Sequence, residues 1–186
     1  SSWKNALVTS ANIWKQAQLR GVELKILNLG GGFPAAHDEG VPSVPEIMDL
    51  ILDSTQTLFP DGVSLMAEPG RGLVGNTGVL VASVIGKSHR QDKNWLYLDV
   101  GVFNGLMETV GGISYSFTPK ENSENQPVKN WVLAGPSCDS FDIIGRDILL
   151  PELFIGDQIL IYPGGAYTTA YASNFNGMSI PKTYMM

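Results

Sequence analysis

Five short stretches of this 186-residue chain place reactive groups at unusual density. In Leu65-Met66-Ala67-Glu68-Pro69-Gly70-Arg71-Gly72 an apolar run stops abruptly at an anion, a rigid turn and a cation. That arrangement suits a ligand carrying both a basic ring nitrogen and a phosphate, and it equally suits a strand end closed by a surface ion pair. Gly30-Gly31-Gly32-Phe33-Pro34 spends three consecutive glycines, either on a tight strand exit or on backbone N–H groups that approach an anion closely. Gly135-Pro136-Ser137-Cys138-Asp139-Ser140 sets the one thiol of the chain beside a carboxylate in a turn, where it is either a proton donor or nucleophile or a small half-buried residue. Gly164-Gly165-Ala166-Tyr167-Thr168-Thr169 is a second glycine-led turn, suited to an anion at a helix amino terminus. Asn174-Phe175-Asn176-Gly177 flanks an aromatic ring with amides, a pattern equally at home in a core.

The elements that would hold these groups follow from periodicity. Trp3, Leu7, Ala11, Trp14 and Ala17 recur three and four apart and predict a helix ended by Gly21. Val22–Leu29 reads as a buried strand leading into the glycine loop. Ser43-Val44-Pro45-Glu46 has the form of a capping box opening a second helix with Ile47, Leu50, Ile51 and Leu58 on one face. Val63–Ala67 then delivers Glu68. Helix, strand, helix, strand is half of a parallel α/β set, and parallel α/β folds collect ligands at the carboxyl ends of their strands, where both motifs fall.

Beyond a boundary expected near Asn76 the composition turns to β. Val79–Ile85, Trp95–Val100, Ile113–Phe117, Trp131–Ala134 and Gln158–Tyr162 are short runs rich in Val, Ile, Tyr and Trp. Lys120–Lys129 is polar enough for an exposed hairpin or loop. The expected fold class is therefore α/β plus β, with domains at 1–76 and 77–186.

Composition bounds the function. A hydrophobic fraction of 44% and a charged fraction of 16% are those of a globular protein, and no apolar run approaches the ~20 residues that span a bilayer. A net charge of −6 with 12 Lys and Arg argues against a nucleic-acid or anionic-membrane surface. No metal site is expected. A single cysteine fits a reducing, cytoplasmic compartment. The start at Ser1-Ser2-Trp3 lacks the apolar core of a signal peptide and reads like a chain entered midway.

Taken together and in order, Gly30–Pro34, Glu68–Arg71, Gly135–Ser140, Gly165–Thr168 and Asn174–Gly177 resemble the carboxyl-terminal part of the fold-type III, pyridoxal-phosphate-dependent decarboxylases of basic amino acids, the ornithine and lysine decarboxylase family. The resemblance runs from Leu24 to Gly177. It implies the second half of an alanine-racemase-like (β/α)8 barrel followed by a mostly antiparallel β-barrel or sandwich domain. It implies that Gly31, Gly32, Gly70, Arg71 and Tyr167 bind the phosphate of pyridoxal 5'-phosphate, and that Glu68 pairs with the pyridine nitrogen and keeps it protonated. Cys138 is implied as the acid that returns a proton to Cα, Asp139 as the partner of the substrate's distal ammonium, and Asp99 and Phe175 as further substrate contacts. In the family Cys138 and Asp139 serve the neighbouring subunit, which implies a head-to-tail homodimer.

Asp139 narrows the expected substrate to a simple diamino acid such as ornithine or lysine, since the similar diaminopimelate decarboxylases carry glutamate after the cysteine. The resemblance also shows a gap. None of the eight lysines stands where the family holds its cofactor covalently, and the half of the barrel with that lysine, a stacking histidine and a phosphate-binding serine precedes the region seen here. The gap implies a fragment of a longer enzyme, a chain that pairs with a second polypeptide carrying that half, or a degenerate relative, and activity would require that half. The rivals are a non-catalytic homologue that regulates polyamine metabolism by binding proteins, a diaminopimelate-type decarboxylase, and a racemase on the same barrel.

Overall fold

A computed structural model describes residues 2–35, 41–121 and 126–186. The chain divides into two compact units, Ser1–Val74 and Gly75–Met186.

In the first unit helix α1 (Ser2–Leu19) is followed by strand β1 (Ile26–Asn28), helix α2 (Val44–Leu58), strand β2 (Ser64–Met66) and the single turn α3 (Arg71–Val74). α1 buries the Leu7 and Trp14 face that its periodicity predicts. It ends as glycine dictates: Gly21 takes a positive φ of 77°, and the N–H groups of Gly21 and Val22 cap the carbonyls of Gln18 and Ala17. α2 opens with the expected capping box. The Ser43 hydroxyl accepts from Glu46 N–H, while the Glu46 carboxylate accepts from Ser43 N–H at 2.8 Å. That backbone bond, followed by the Ser43 hydroxyl, holds the Glu46 carboxyl below its ordinary range.

β1 and β2 pair in parallel, Leu27 opposite Leu65 and Asn28 opposite Met66. One face is covered by α1 and α2 through a cluster of Leu7, Trp14, Leu27, Phe33, Ile47, Ile51 and Phe59. The strand expected over Val22–Leu29 is shorter and only half buried. Leu27 is inside, but Val22 is 51% and Ile26 55% exposed, because no described residue covers the other face of β1. Met66 on β2 is likewise 52% exposed.

The second unit is a six-stranded mixed sheet in the order β5-β8-β3-β4-β6-β7. Its strands are β3 (Leu80–Arg90), β4 (Lys93–Leu98), β5 (Ser116–Pro119), β6 (Val128–Ala134), β7 (Ile143–Pro151) and β8 (Gln158–Tyr162). Every pairing is antiparallel except β4 with β6. β3 carries a register shift between Val84 and Gly86: its first half pairs with β8 and its second with β4, which bends the sheet. The sheet nearly closes, since a Cβ added at Gly145 of β7 would lie 3.7 Å from the Phe117 ring of β5. Inside lie Leu96, Leu98, Leu106, Leu133, Leu150, Ile159, Ile161 and Trp131, whose indole N–H donates to the Leu150 carbonyl at 3.1 Å.

Two expectations are corrected here. β7 is absent from the strands predicted by pattern because Gly145-Arg146-Asp147 interrupts its apolar run. The chain passes that interruption as an irregularity with Asp147 at φ 58° rather than as a turn between elements. The polar stretch expected as a loop over 120–129 is shorter, since Val128 and Lys129 belong to β6; residues 122–125 lie outside the described residues.

Candidate functional site

The glycine loop and the Glu68 turn meet at the carboxyl ends of β1 and β2. Parallel pairing continues past the strands, with Leu29 N–H donating to the Met66 carbonyl and Glu68 N–H to that of Gly30. Gly31 then sits against the Glu68 carbonyl so tightly that an added Cβ would lie 2.9 Å from its oxygen. Gly72, one residue after Arg71, rests on Phe33, where a Cβ would come within 2.8 Å of the Phe33 Cβ. Two glycines are thus required by closeness, and together they lock the turn at Glu68–Gly72 to the loop at Gly30–Phe33.

One residue that pattern reading missed organises this corner. Asn28, the last residue of β1, accepts from Gly30 N–H with Oδ1 at 2.9 Å and donates from Nδ2 to Glu68 Oε1 at 2.8 Å. The Gly30 N–H fixes which end of the amide faces the loop, so the other end must donate to Glu68. One carboxylate oxygen is thereby held as an acceptor in an exposed setting. The signal in sequence was a polar residue at the end of an apolar run, directly before the glycines.

In the second unit three segments converge. The β6–β7 loop presents Cys138, exposed, and Asp139, half-buried. Asn176 Nδ2 donates to Cys138 Sγ at 3.3 Å, and Phe175 packs on Phe103 with ring centroids 4.4 Å apart. Ser173 N–H donates to the Phe103 carbonyl at 2.8 Å. Asp139 Oδ1 accepts from Phe141 N–H at 2.8 Å, a local turn bond that leaves its other oxygen uncommitted to that turn.

The structure therefore groups Cys138, Asp139 and Phe175, and separately Gly31, Gly32, Glu68, Gly70 and Arg71. Asp99 lies exposed at the end of β4 and uses Oδ1 to accept from Ser83 N–H at 2.7 Å, bridging a step in the ladder. Tyr167 sits at φ 56° with its ring 5.3 Å from that of Tyr171.

The helix expected to follow Gly164-Gly165 does not form. Those N–H groups donate instead to the carbonyls of Gly78 and Gly75, and the strands approach so closely that a Cβ on Gly164 would lie 2.8 Å from Leu80 N. The turn is a packing device for β3 and β8. Buried Asn104 and Asp142, also unforeseen, tie the loops together from within: Asn104 bridges Gly101 N–H and the carbonyls of Asp99 and Ser179. A cleft of about 370 Å³ lies elsewhere on this unit, beside Pro119, Glu152 and Gln158.

Residues 7–165 match the family model of the C-terminal sheet domain of the pyridoxal-dependent decarboxylases. The chain belongs to this family. It is 34% identical over 187 aligned residues to a lysine/ornithine decarboxylase of Selenomonas ruminantium, covering 98% of this chain and 46% of that protein. The arginine decarboxylase of Paramecium bursaria Chlorella virus matches with a TM-score of 0.83 at 30% identity, over 95% of this chain and 48% of that one. A lysine/ornithine decarboxylase of Vibrio vulnificus, solved with putrescine, matches with a TM-score of 0.82 at 33% identity, over 96% and 48%. The chain spans about half the length of the relatives it matches, and the similarity to the family is carried by both units.

Proposed function

We propose that this chain is the carboxyl-terminal part of a pyridoxal-phosphate-dependent decarboxylase that converts a basic amino acid, ornithine or lysine, to a diamine. The observation that carries this reading is the corner at the ends of β1 and β2, where Asn28 orients Glu68 beside a glycine loop that only glycine can build.

The residues present suit the cofactor. Gly31 and Gly32 bring bare backbone to one side of the corner, and Gly70 and Arg71 bring a turn and a guanidinium to the other, which together suit a phosphate. The resemblance assigns the Tyr167 hydroxyl to the same phosphate. Glu68, with one oxygen occupied by an amide donor, has acceptor capacity left for the pyridine N–H and stabilises that proton. When bound, the cofactor supplies the electron sink for the pair left at Cα as carbon dioxide departs. Cys138 holds the proton that Cα then receives, and the Asn176 amide orients its sulfur. Asp139 takes the distal ammonium, Phe175 lines the substrate's alkyl chain, and Asp99 is the further substrate contact.

The chain requires an amino-terminal half to complete the barrel, carrying the covalent lysine. The open face of β1 and β2 supports this: burying a side chain such as Ile26 or Met66 is worth about 1.5–3 kcal/mol each, which this chain alone forgoes. The unpaired strand edges of a half barrel also call for partners. The working form is a homodimer in which Cys138 and Asp139 act on the neighbouring subunit's substrate, in the reducing cytoplasm that keeps an exposed acid thiol intact.

The test is made on the full-length enzyme with cofactor added, following bound-cofactor absorbance and carbon dioxide release from ornithine, lysine and diaminopimelate. Release from ornithine or lysine, lost in a Cys138→Ala, Asp139→Ala double variant, supports the reading. Cofactor binding without release from any amino acid points to a regulatory homologue. Normal turnover by the double variant removes those two residues from their roles.

A further inference from the structure

Asp142 is a carboxylate that the proposed chemistry does not use, and it is 2% exposed. A carboxylate so deeply buried is costly unless hydrogen bonds replace its water. It has them from two different loops. Oδ1 accepts from Val102 N–H at 2.7 Å, in the segment after β4 that carries Phe103. Oδ2 accepts from Ser137 N–H at 2.9 Å, immediately before Cys138. Its backbone joins the same loop at both ends, its carbonyl accepting from Gly135 N–H at 2.8 Å and its N–H donating to the Asp139 carbonyl at 3.1 Å. The walls are closed by glycine. A Cβ on either Gly101 or Gly135 would lie 2.1 Å from Asp142 Oδ1.

We infer that Asp142 is a positioning residue that sets Cys138 and Asp139 against the Phe103–Phe175 pair by clamping the backbones of the β6–β7 loop and the β4 exit together. The inference rests on the functional reading above for what is positioned, and on geometry alone for the clamp. A carboxylate is required rather than an amide, because both of its oxygens face N–H donors. In Asp142→Asn one donor would meet an NH2 group instead of an acceptor, at nearly unchanged volume. The loop carrying Ser137 would then move relative to Phe103, and a displacement of about 1 Å at a reacting group is enough for large rate losses.

The experiment compares wild-type and Asp142→Asn full-length enzyme well below their melting temperatures. Peptide-resolved alkylation of Cys138 with iodoacetamide, hydrogen exchange at residues 101–105 and 135–142, bound-cofactor absorbance, kcat and KM are all measured. The expected result is full cofactor loading, Cys138 alkylation changed by about tenfold, faster exchange in both loops together, and a lower kcat with a raised KM. Alkylation and kcat/KM within twofold of wild type in a cofactor-loaded variant would overturn the clamp. Should the variant fail to fold, exchange on the wild type alone decides. Protection of the Val102 and Ser137 amides at the level of the core strands supports the clamp, and exchange as fast as Ser140 overturns it. A wild-type enzyme inactive on every basic amino acid would remove the functional reading, while the alkylation and exchange data would still judge the clamp.

Discussion

Glu68 and Asp142 are both carboxylates in loops next to a strand, Glu68 after β2 and Asp142 before β7, and the molecule treats them oppositely. Glu68 is exposed and held by one side-chain donor, Asn28, with its remaining acceptor capacity open. Asp142 is buried, and each of its oxygens is occupied by a backbone N–H from a different loop. A carboxylate held by one flexible amide can still meet a ligand. One that receives two backbone donors in the interior is spent on architecture, and its removal leaves those donors unsatisfied. Ligand chemistry is therefore to be sought where acceptor capacity is oriented but not used up.

That contrast can be broken most directly at Glu68. Glu68→Ala is expected to leave cofactor binding partly intact through the phosphate contacts while lowering decarboxylation by about 10²–10³-fold, the scale of a lost preorganised electrostatic partner. Unchanged turnover would make Glu68 as structural as Asp142. Next in size, Asn28→Asp would set two carboxylates where an amide nitrogen and an oxygen now lie 2.8 Å apart. Like charges at that range disfavour joint ionisation, so turnover should fall by about 10-fold to 100-fold while the protein stays folded. A steady-state comparison with Asn28→Ala separates charge from lost positioning: equal losses would mean that only the amide's support matters.

On the Asp142 side, Gly135→Ala forces a Cβ into the carboxylate and should cost about 1–3 kcal/mol of stability, read as a lowered unfolding midpoint in denaturant. An unaltered midpoint would show that the pocket has slack. The smallest effect is expected at a third carboxylate, Glu46, whose partner is a helix cap. Ser43→Ala should cost about 1 kcal/mol. Because Glu46 is held below its ordinary range when folded, its contribution is present at neutral pH and is lost as pH falls through that lowered range. The penalty of Ser43→Ala should therefore shrink in acid, measured by paired denaturant melts.

The helices of the first unit were legible because they follow a local rule. Leu7 and Trp14 recur on one face, and Ser43 with Glu46 writes its own cap within four residues. The five motifs stood out for the same reason, each being a contiguous run of residues. β7 was not, since Gly145-Arg146-Asp147 reads as a turn until β6 is beside it. The glycine pair at 164–165 shows the limit from the other direction. Its pattern suits an anion, yet its N–H groups are claimed by Gly78 and Gly75, 86 and 90 residues away in sequence, a separation that local patterns cannot see.

The sequence by itself determined the family, the helix and strand order of the first unit, and which residue types stand in each site segment, because these depend on neighbours a few positions apart. Only the tertiary structure decided that Asn28 orients Glu68, that Asp142 joins the loops of Val102 and Ser137, and that Asn176 reaches Cys138. Each of those bonds closes over 38 to 40 residues except the five-residue step from Ser137, and a hydrogen-bond partner at such separation is set by packing rather than by pattern.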